Sequence, residues 1–446
     1  MPNAQRPSLL AVDLDSISLA VNGMVRVIRD AFRPRVRLTV LATTVVIGAC
    51  LSGTELVSPP YQPPSTITIV FHPDSADAAT ASALGWSAGI PGIEITLIAD
   101  STNSAPQVFQ GSDSGTLALD QLPAGRYSVS AVRWLADSER AKLPPGDDAV
   151  GFMTRFGLTA PVAAARLRIA MVADRRRGVV ISEFKGDAIQ APGQSEAYYY
   201  SGYVRLYNNS DHTIYLDGMI IGEGFAWQFD YPNFPCSLYQ PYALDSLGIW
   251  ARVFHQLPGS GQDYPLGPGE TAVLATDAID HRPLYPIGLD LRQANFEFYA
   301  GQSDVDNPDV PNAVSVGPES EFGGHGLYWG VLGTIVWVAR PFDLATMHTE
   351  LIPAGGIWAR IPANALVDVV AVKTTYQGGY PECPSLVNST FDREAVQLLG
   401  APPEDQLLAY RRRQLPFTLA GQPVLEHSRT SAWDFITSSR DPFARP

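Results

Sequence analysis

The densest set of potential ligands in the sequence lies where Asp304, Asp306, Asn307, Asp309 and Asn312 crowd hard oxygens into one short stretch. Carboxylate and amide oxygens at that spacing suit Ca2+, which takes about six to eight oxygen ligands. An EF-hand needs a Gly and a distal Glu at fixed positions, and both are missing here. The same residues suit a Pro-punctuated loop whose Asx side chains cap their own backbone. Other chemistry is thin. The sequence holds no Gly-x-Ser-x-Gly elbow, no His-Glu-x-x-His helix, no phosphate loop and no dinucleotide fingerprint. Gly323-Gly324-His325-Gly326 could form an oxyanion loop, but no nucleophile motif stands beside it. Asp280-His281 could pair a carboxylate with an imidazole, although it reads better as a surface turn. The expectation is a protein without catalysis and, calcium apart, without a cofactor.

Three cysteines carry more information: Cys50, Cys236 and Cys383. Leu38 to Ala49 is an apolar run of signal-peptide length, preceded by Arg29, Arg33, Arg35 and Arg37. It ends in Ile47-Gly48-Ala49-Cys50, which matches the lipobox of bacterial lipoproteins. In that motif small residues let the peptidase reach the backbone, and the cysteine is acylated. Residues 1–49 therefore read as a leader, with Met1 or Met24 as its start, and 50–64 as a Pro-rich tether from a membrane lipid anchor. Export would leave Cys236 and Cys383 free to form a disulfide in an oxidising compartment. Two separate buried thiols are the other reading.

Elements must position all of this, and composition says which kind. Hydrophobic residues make up 46% and charged residues 17%, while 37 Pro and 38 Gly puncture any long helical pattern. The net charge is −14; the first 49 residues hold six Arg and three Asp, so the rest carries −17. Nucleic acid is excluded as a partner, because phosphate backbones need clustered positive charge. Strands are expected at Ile67 to Phe71, Ile93 to Ile98, Gly115 to Leu119, Leu122 to Ala131 and Leu167 to Val172, the last closing a sheet. Arg133, Asp137 and Glu139, past the fourth of these, read as a solvated loop. This segment, 65–174, resembles the transthyretin-like, carboxypeptidase regulatory-like sandwich, whose Leu-Pro-x-Gly-x-Tyr pattern stands here at Leu122 to Tyr127.

Arg175, Arg176 and Arg177 mark a junction, read as an exposed linker, with an anion or headgroup contact as the other reading. Beyond it come Val179 to Phe184, Tyr203 to Ser210, Ile214 to Ile221, and Tyr264 to Glu270 followed by Thr271 to Ala275. In order and spacing these resemble the lamin-tail domain, an immunoglobulin-like sandwich with Ile-Ser-Glu, Leu-Tyr-Asn and Pro-Gly-Glu motifs. Arg205 stands where that family usually has an acid. The resemblance implies an all-β chain: a regulatory-like sandwich followed by a larger lamin-tail-type sandwich over 178–446 with long insertions. Combined with Ala294 to Tyr299, Asp304 to Asn312, Ala339-Arg340-Pro341, Ile361 to Asp368, Arg411-Arg412-Arg413 and Trp433 to Ile436, the chain is similar to a family of uncharacterised bacterial lipoproteins, the domain of unknown function 4876 type.

That resemblance implies an outer-membrane lipoprotein facing the periplasm or the surface. It also implies a protein partner in the envelope such as a TonB-dependent receptor. Aromatic residues crowd Tyr198 to Trp250. Exposed, they would form a platform for a partner or a glycan; buried, they would pack a sandwich core, which is the favoured reading. The expected function is a binding or accessory module, the alternative ligand or glycan capture supported by calcium. A groove lined by rings would favour a small ligand, and a flat patch a protein.

Overall fold

A computed structural model of the chain describes residues 65–87, 89–100, 105–160, 166–185, 198, 200–224, 228–299, 305–318, 334–353, 356–374, 380–398 and 408–444. The leader with Cys50, Asp304 and Gly323 to Gly326 lie outside them. No helix among the described residues is long and apolar enough to cross a membrane. The fold is all-β, with only short helices between strands.

The first unit comprises β1 (Ser65–Pro73), β2 (Glu94–Ala99), β3 (Gln107–Gln110), β4 (Thr116–Leu122), β5 (Gly125–Trp134), β6 (Ala149–Ala160) and β7 (Arg166–Arg175). They run in the order β3-β2-β5-β6-β7-β1-β4. Only β1 against β7 is parallel among these pairs. Inward residues from both ends of that path, Ile69 and Leu117 from one and Ile95 and Val129 from the other, share one core. The path therefore folds over on itself as a sandwich. Strand β5 shows the expected alternation, with Tyr127, Val129 and Ala131 inward. The Tyr127 hydroxyl donates to the Pro123 carbonyl at 2.8 Å and fixes the turn before it. Gly115 opens β4 at φ +70°, and a Cβ there would sit 2.7 Å from the Ile90 nitrogen. Only glycine fits that approach.

Two differences from the sequence reading have physical causes. Strand β6 is buried on both faces over its first six residues, so it shows no period of two. Strand β3 is a mostly exposed edge with Gln at both ends and carries no apolar signal. Strand β7 accordingly lies inside the sheet rather than closing it. The short helix α1 (Ala78–Ala83) crosses near the start. Past β5 lies α2 (Asp137–Arg140), and the loop there is not simply solvated. Arg133 pairs with Glu139 at 2.7 Å and lies over the Trp86 ring.

The larger unit stacks two sheets. Its strands are β8 (Val179–Lys185), β9 (Tyr203–Asn208), β10 (Ile214–Tyr215), β11 (Ile220–Gly224), β12 (Gly248–Gln256), β13 (Pro265–Leu266), β14 (Thr271–Ala275), β15 (Phe296–Glu297), β16 (Val314–Ser315) and β17 (Thr334–Ala339). They continue with β18 (His348–Leu351), β19 (Ile357–Pro362), β20 (Leu366–Thr374), β21 (Val396–Leu398), β22 (Leu408–Arg412), β23 (Gln414–Leu419), β24 (Gln422–Leu425) and β25 (Phe435–Ser439). One sheet runs β15-β14-β9-β8-β22-β25. The other runs β18-β19-β12-β11-β17-β20-β21, with β16 added to β12. Ile181, Leu206 and Leu274 of the first meet Ile221, Val338 and Val370 of the second in the common core. The hairpin of β23 and β24 leaves both sheets. Its Leu415 and Val424 pack on Val150, with Phe417 edge-on to Trp134 of the first unit.

Candidate functional site

The most distinctive surface feature is a lobe built from two loops of the larger unit. The chain after β11 runs through Gln228 to Pro235 into helix α3 (Cys236–Ala243). Pro235 sits before the first turn, where a missing N–H costs nothing. Asp230 accepts the Cys236 N–H at 2.8 Å and supplies the cap that Pro235 cannot. The second loop follows β20. The two are laced by main-chain bonds: Cys383 N–H to the Gln228 carbonyl at 2.7 Å and Asp230 N–H to the Pro381 carbonyl at 2.8 Å. A disulfide then joins Cys236 to Cys383, whose Cα atoms are 5.5 Å apart and 147 positions apart in sequence. Beneath α3, Tyr239 packs with Trp250 and Trp358 in a closed aromatic cluster.

Five large apolar side chains of this lobe stand exposed. Phe234, Leu238, Leu244, Leu247 and Tyr380 are 47, 44, 43, 62 and 41% exposed. The Tyr380 and Tyr231 rings lie 4.7 Å apart, centre to centre. The aromatic run of the sequence thus splits. Tyr203, Phe229, Tyr239 and Trp250 are core, whereas Phe234 is surface; Phe225 and Trp227 lie outside the described residues. What the sequence did not show was the return loop at 380–387, whose Tyr380 packs on Tyr231.

A cleft of about 180 Å³ opens beside the disulfide. Its walls are mainly polar, with Gln228, Lys373, Glu382, Asp392 and Arg393 among them, and no aromatic ring lines it among the described residues. Lys373 and Glu382 stand 3.8 Å apart. Asp392 is buried and accepts from Ala371 N–H at 2.8 Å, from Ser431 N–H at 3.0 Å and from the Ser431 hydroxyl. Burial pushes its carboxyl up to about 7, while the Ser431 and Ala371 donors pull the other way.

A second polar group joins three parts of the fold. Arg412 lies 2.6 Å from Asp368 and 3.0 Å from Asp434. His427 contacts Asp368 through Nε2 at 3.1 Å and gives its N–H to Asp174 at 3.1 Å. Glu426 meets Arg155 of β6 at 2.9 Å. Asp174, Asp368, Arg412, Glu426, His427 and Asp434 are each 5% exposed or less, and none lines the cleft. Carboxylates converge here in the interior. The arrangement ties the hairpin and α4 (Ser431–Asp434) to both units.

The oxygen-rich loop makes self-capping bonds. Asn307 donates to the Ala278 carbonyl and accepts from Asp309 N–H. Asp306 accepts from the Asn312 amide at 2.8 Å. Among the described residues no group of three or more His, Cys, Asp or Glu could hold a metal ion; Asp304 lies outside them. Asp280 and His281 do not pair. Asp280 engages Arg282, whereas His281 is fully buried between the Tyr198 hydroxyl at 2.7 Å and the Asp277 carbonyl at 2.9 Å. The surface-turn reading therefore fails for His281, because its ring satisfies an interior carbonyl.

Residues 267–326 match the family described as "Protein of unknown function (DUF4876)". No curated protein matches the chain. Among solved structures, the chain is similar to a DUF4876 family protein from Bacteroides thetaiotaomicron VPI-5482, at 17% identity and a TM-score of 0.48, over 84% of this chain and 95% of that one. A Bacteroides ovatus ATCC 8483 protein described as a "putative adhesin" matches at 11% identity and a TM-score of 0.17, over 77% of this chain and 91% of that one.

Proposed function

We propose that this protein is a non-catalytic cell-envelope lipoprotein, anchored through Cys50, that holds a protein partner on its disulfide-stapled lobe. The partner class is an outer-membrane transporter such as a TonB-dependent receptor. One observation carries the reading: Leu238, Leu247 and Tyr380 are exposed on the lobe, while the adjoining cleft is walled by polar groups. Rings around a groove would suit a sugar; apolar side chains on an outer face suit a protein. The Cys236–Cys383 disulfide supports export, since such bonds persist in oxidising compartments.

The test is affinity purification of the native lipoprotein from membranes. A transporter should accompany the wild type, and Leu238→Glu with Leu247→Glu should remove it while leaving the fold intact by circular dichroism. Equal recovery of the transporter with that variant would overturn the lobe as the docking face. Saturable glycan binding, lost in Tyr380→Ala, would replace a protein partner with a sugar. Cys50→Ser should release the protein from the membrane fraction or leave an uncleaved precursor. Normal processing and membrane retention would exclude the anchor.

A further inference from the structure

The three arginines of the connector have different fates. Arg175 meets Asp77 at 2.7 Å and Asp147 at 3.3 Å, and it donates to the Thr80 hydroxyl. Arg176 donates to the Asn209 and Ser210 carbonyls at 3.0 and 2.9 Å. Arg177 does neither. It lines a cleft of about 430 Å³ between the Gly146–Asp148 turn ahead of β6 and the Ala363–Asn364 turn between β19 and β20. Arg340, just past β17, lines the same cleft. Among the described residues, neither the Arg177 nor the Arg340 guanidinium has a hydrogen-bond or ion-pair partner.

Two unpaired guanidinium groups on one space repel each other, and Arg177 is also half-buried. Burial first, and the Arg175 charge next, weaken the hold of Arg177 on its proton, while Asp368 and Asp148 act the other way. Of the two carboxylates on the cleft, Asp147 is already engaged by Arg175, which leaves Asp148. The space therefore carries surplus positive charge within a chain of net charge −14. Its volume is that of small-molecule sites, a few hundred Å³.

We propose that this cleft binds a compact phosphate group, held by Arg177 and Arg340 with the Asn364 amide as a further donor. Guanidinium forks match phosphate oxygens, and a tetrahedral group accepts donors arriving from separate elements better than a planar carboxylate does. Asp148 at the wall opposes an extended polyanion, which limits the ligand to a single phosphate. That phosphate belongs to a soluble phosphomonoester or to a lipid headgroup, and the chemistry of recognition is the same for both.

The test is calorimetric titration of the purified protein with inorganic phosphate, ionic strength being held constant with chloride. A saturating isotherm is expected, weakened about tenfold or more by Arg177→Gln and by Arg340→Gln, which each remove a charge-assisted donor pair. Arg340→Lys should fall between, because it keeps the charge and loses the fork. Arg166→Gln, at the opposite end of β7, should bind as the wild type does. Arg340 is exposed, so its variants test the site even if Arg177→Gln fails to fold. Vesicles of phosphatidylglycerol against phosphatidylcholine separate the sources: capture by the former, lost in the same variants, assigns the headgroup, and phosphate binding without capture assigns a soluble ligand. Absence of a saturating isotherm, or equal weakening by Arg166→Gln, would overturn the site.

Discussion

Glu183 and Arg205, on neighbouring strands β8 and β9, meet at 2.9 Å with both side chains shut off from solvent. Glu183 also accepts from the Tyr203 hydroxyl at 2.5 Å and from Arg411 at 2.6 Å. Arg205 donates further to the Ser182 hydroxyl and to the Asp441 and Ala444 carbonyls. The arginine that departs from the lamin-tail pattern is thus matched by the glutamate of that pattern's own Ile-Ser-Glu motif. A buried guanidinium costs several kcal/mol to desolvate unless such partners surround it. Glu183→Gln should therefore destabilise the protein by about 3 kcal/mol or more, since it leaves a charge in the interior. Urea unfolding measures this, and a midpoint equal to the wild type would show the pair to be dispensable.

Stability should depend on pH in two separate windows. Burial alone would raise the Asp368 carboxyl, but the Arg412 charge and the His427 contact hold it down to about 2. Its contribution is present above the unfolded value of about 3.9 and is lost as pH falls toward 2. Asp392 behaves oppositely. Burial raises it to about 7, so the folded state keeps a proton that the unfolded state releases near pH 4. Its effect is a loss of stability as pH rises from about 4 to about 7, constant beyond. Asp392→Asn should make that second slope shallower, the remainder coming from Glu223, which burial raises to about 8, and should leave the acid limb unchanged. Urea midpoints across pH 2 to 8 give the comparison, and parallel curves for the two proteins would rule out Asp392 as the source.

The disulfide closes a loop of 147 positions, for which chain entropy alone gives about 5 kcal/mol. Cys236→Ser should lower the melting temperature and speed proteolytic cleavage between Gln228 and Leu247. Main-chain bonds also lace the two loops, so cleavage should localise there before the sheets unfold. Cleavage spread evenly over the chain would contradict a local role for the staple.

Calcium should leave the protein's stability unchanged. Asp306 and Asn307 direct their side chains to Asn312, Ala278 and the Asp309 N–H, bonds that form without a cation. Melting temperatures in chelator and in millimolar calcium should coincide. A rise of several degrees with calcium would show that Asp304 completes a site with its neighbours.

Strands with a wet face and a dry face were legible in the sequence, as at Tyr127, Val129 and Ala131. Gly115 was legible only as the start of a strand; its need for glycine shows in its φ of +70°. The first half of β6 was not, because covering both faces erases alternation. The lobe was half legible. Cys236 and the aromatic run stood out by composition, whereas Tyr380 joins them through a contact across the fold that no local pattern encodes. The arginine cleft has the same origin. Arg177 was conspicuous in its triplet, but Arg340 reaches it only through the stacking of sheets. Likewise, His281 read as surface by its charged neighbours and is interior because Tyr198 and Asp277 close over it.

The β23–β24 hairpin has a consequence for how the chain is made. Arg155 of β6 bonds to Trp433 and Glu426, which lie 278 and 271 positions later, and Asp174 waits for His427 across 253. Val150 and Trp134 stay uncovered until residues 414–425 arrive. During synthesis the first sandwich must therefore persist for most of the chain's length with a sticky flank and with Asp174 still lacking its His427 hydrogen bond. Such long-range closure slows folding and invites aggregation of the unfinished chain. A holdase that shields this flank would matter more to this protein than to one whose domains finish in turn.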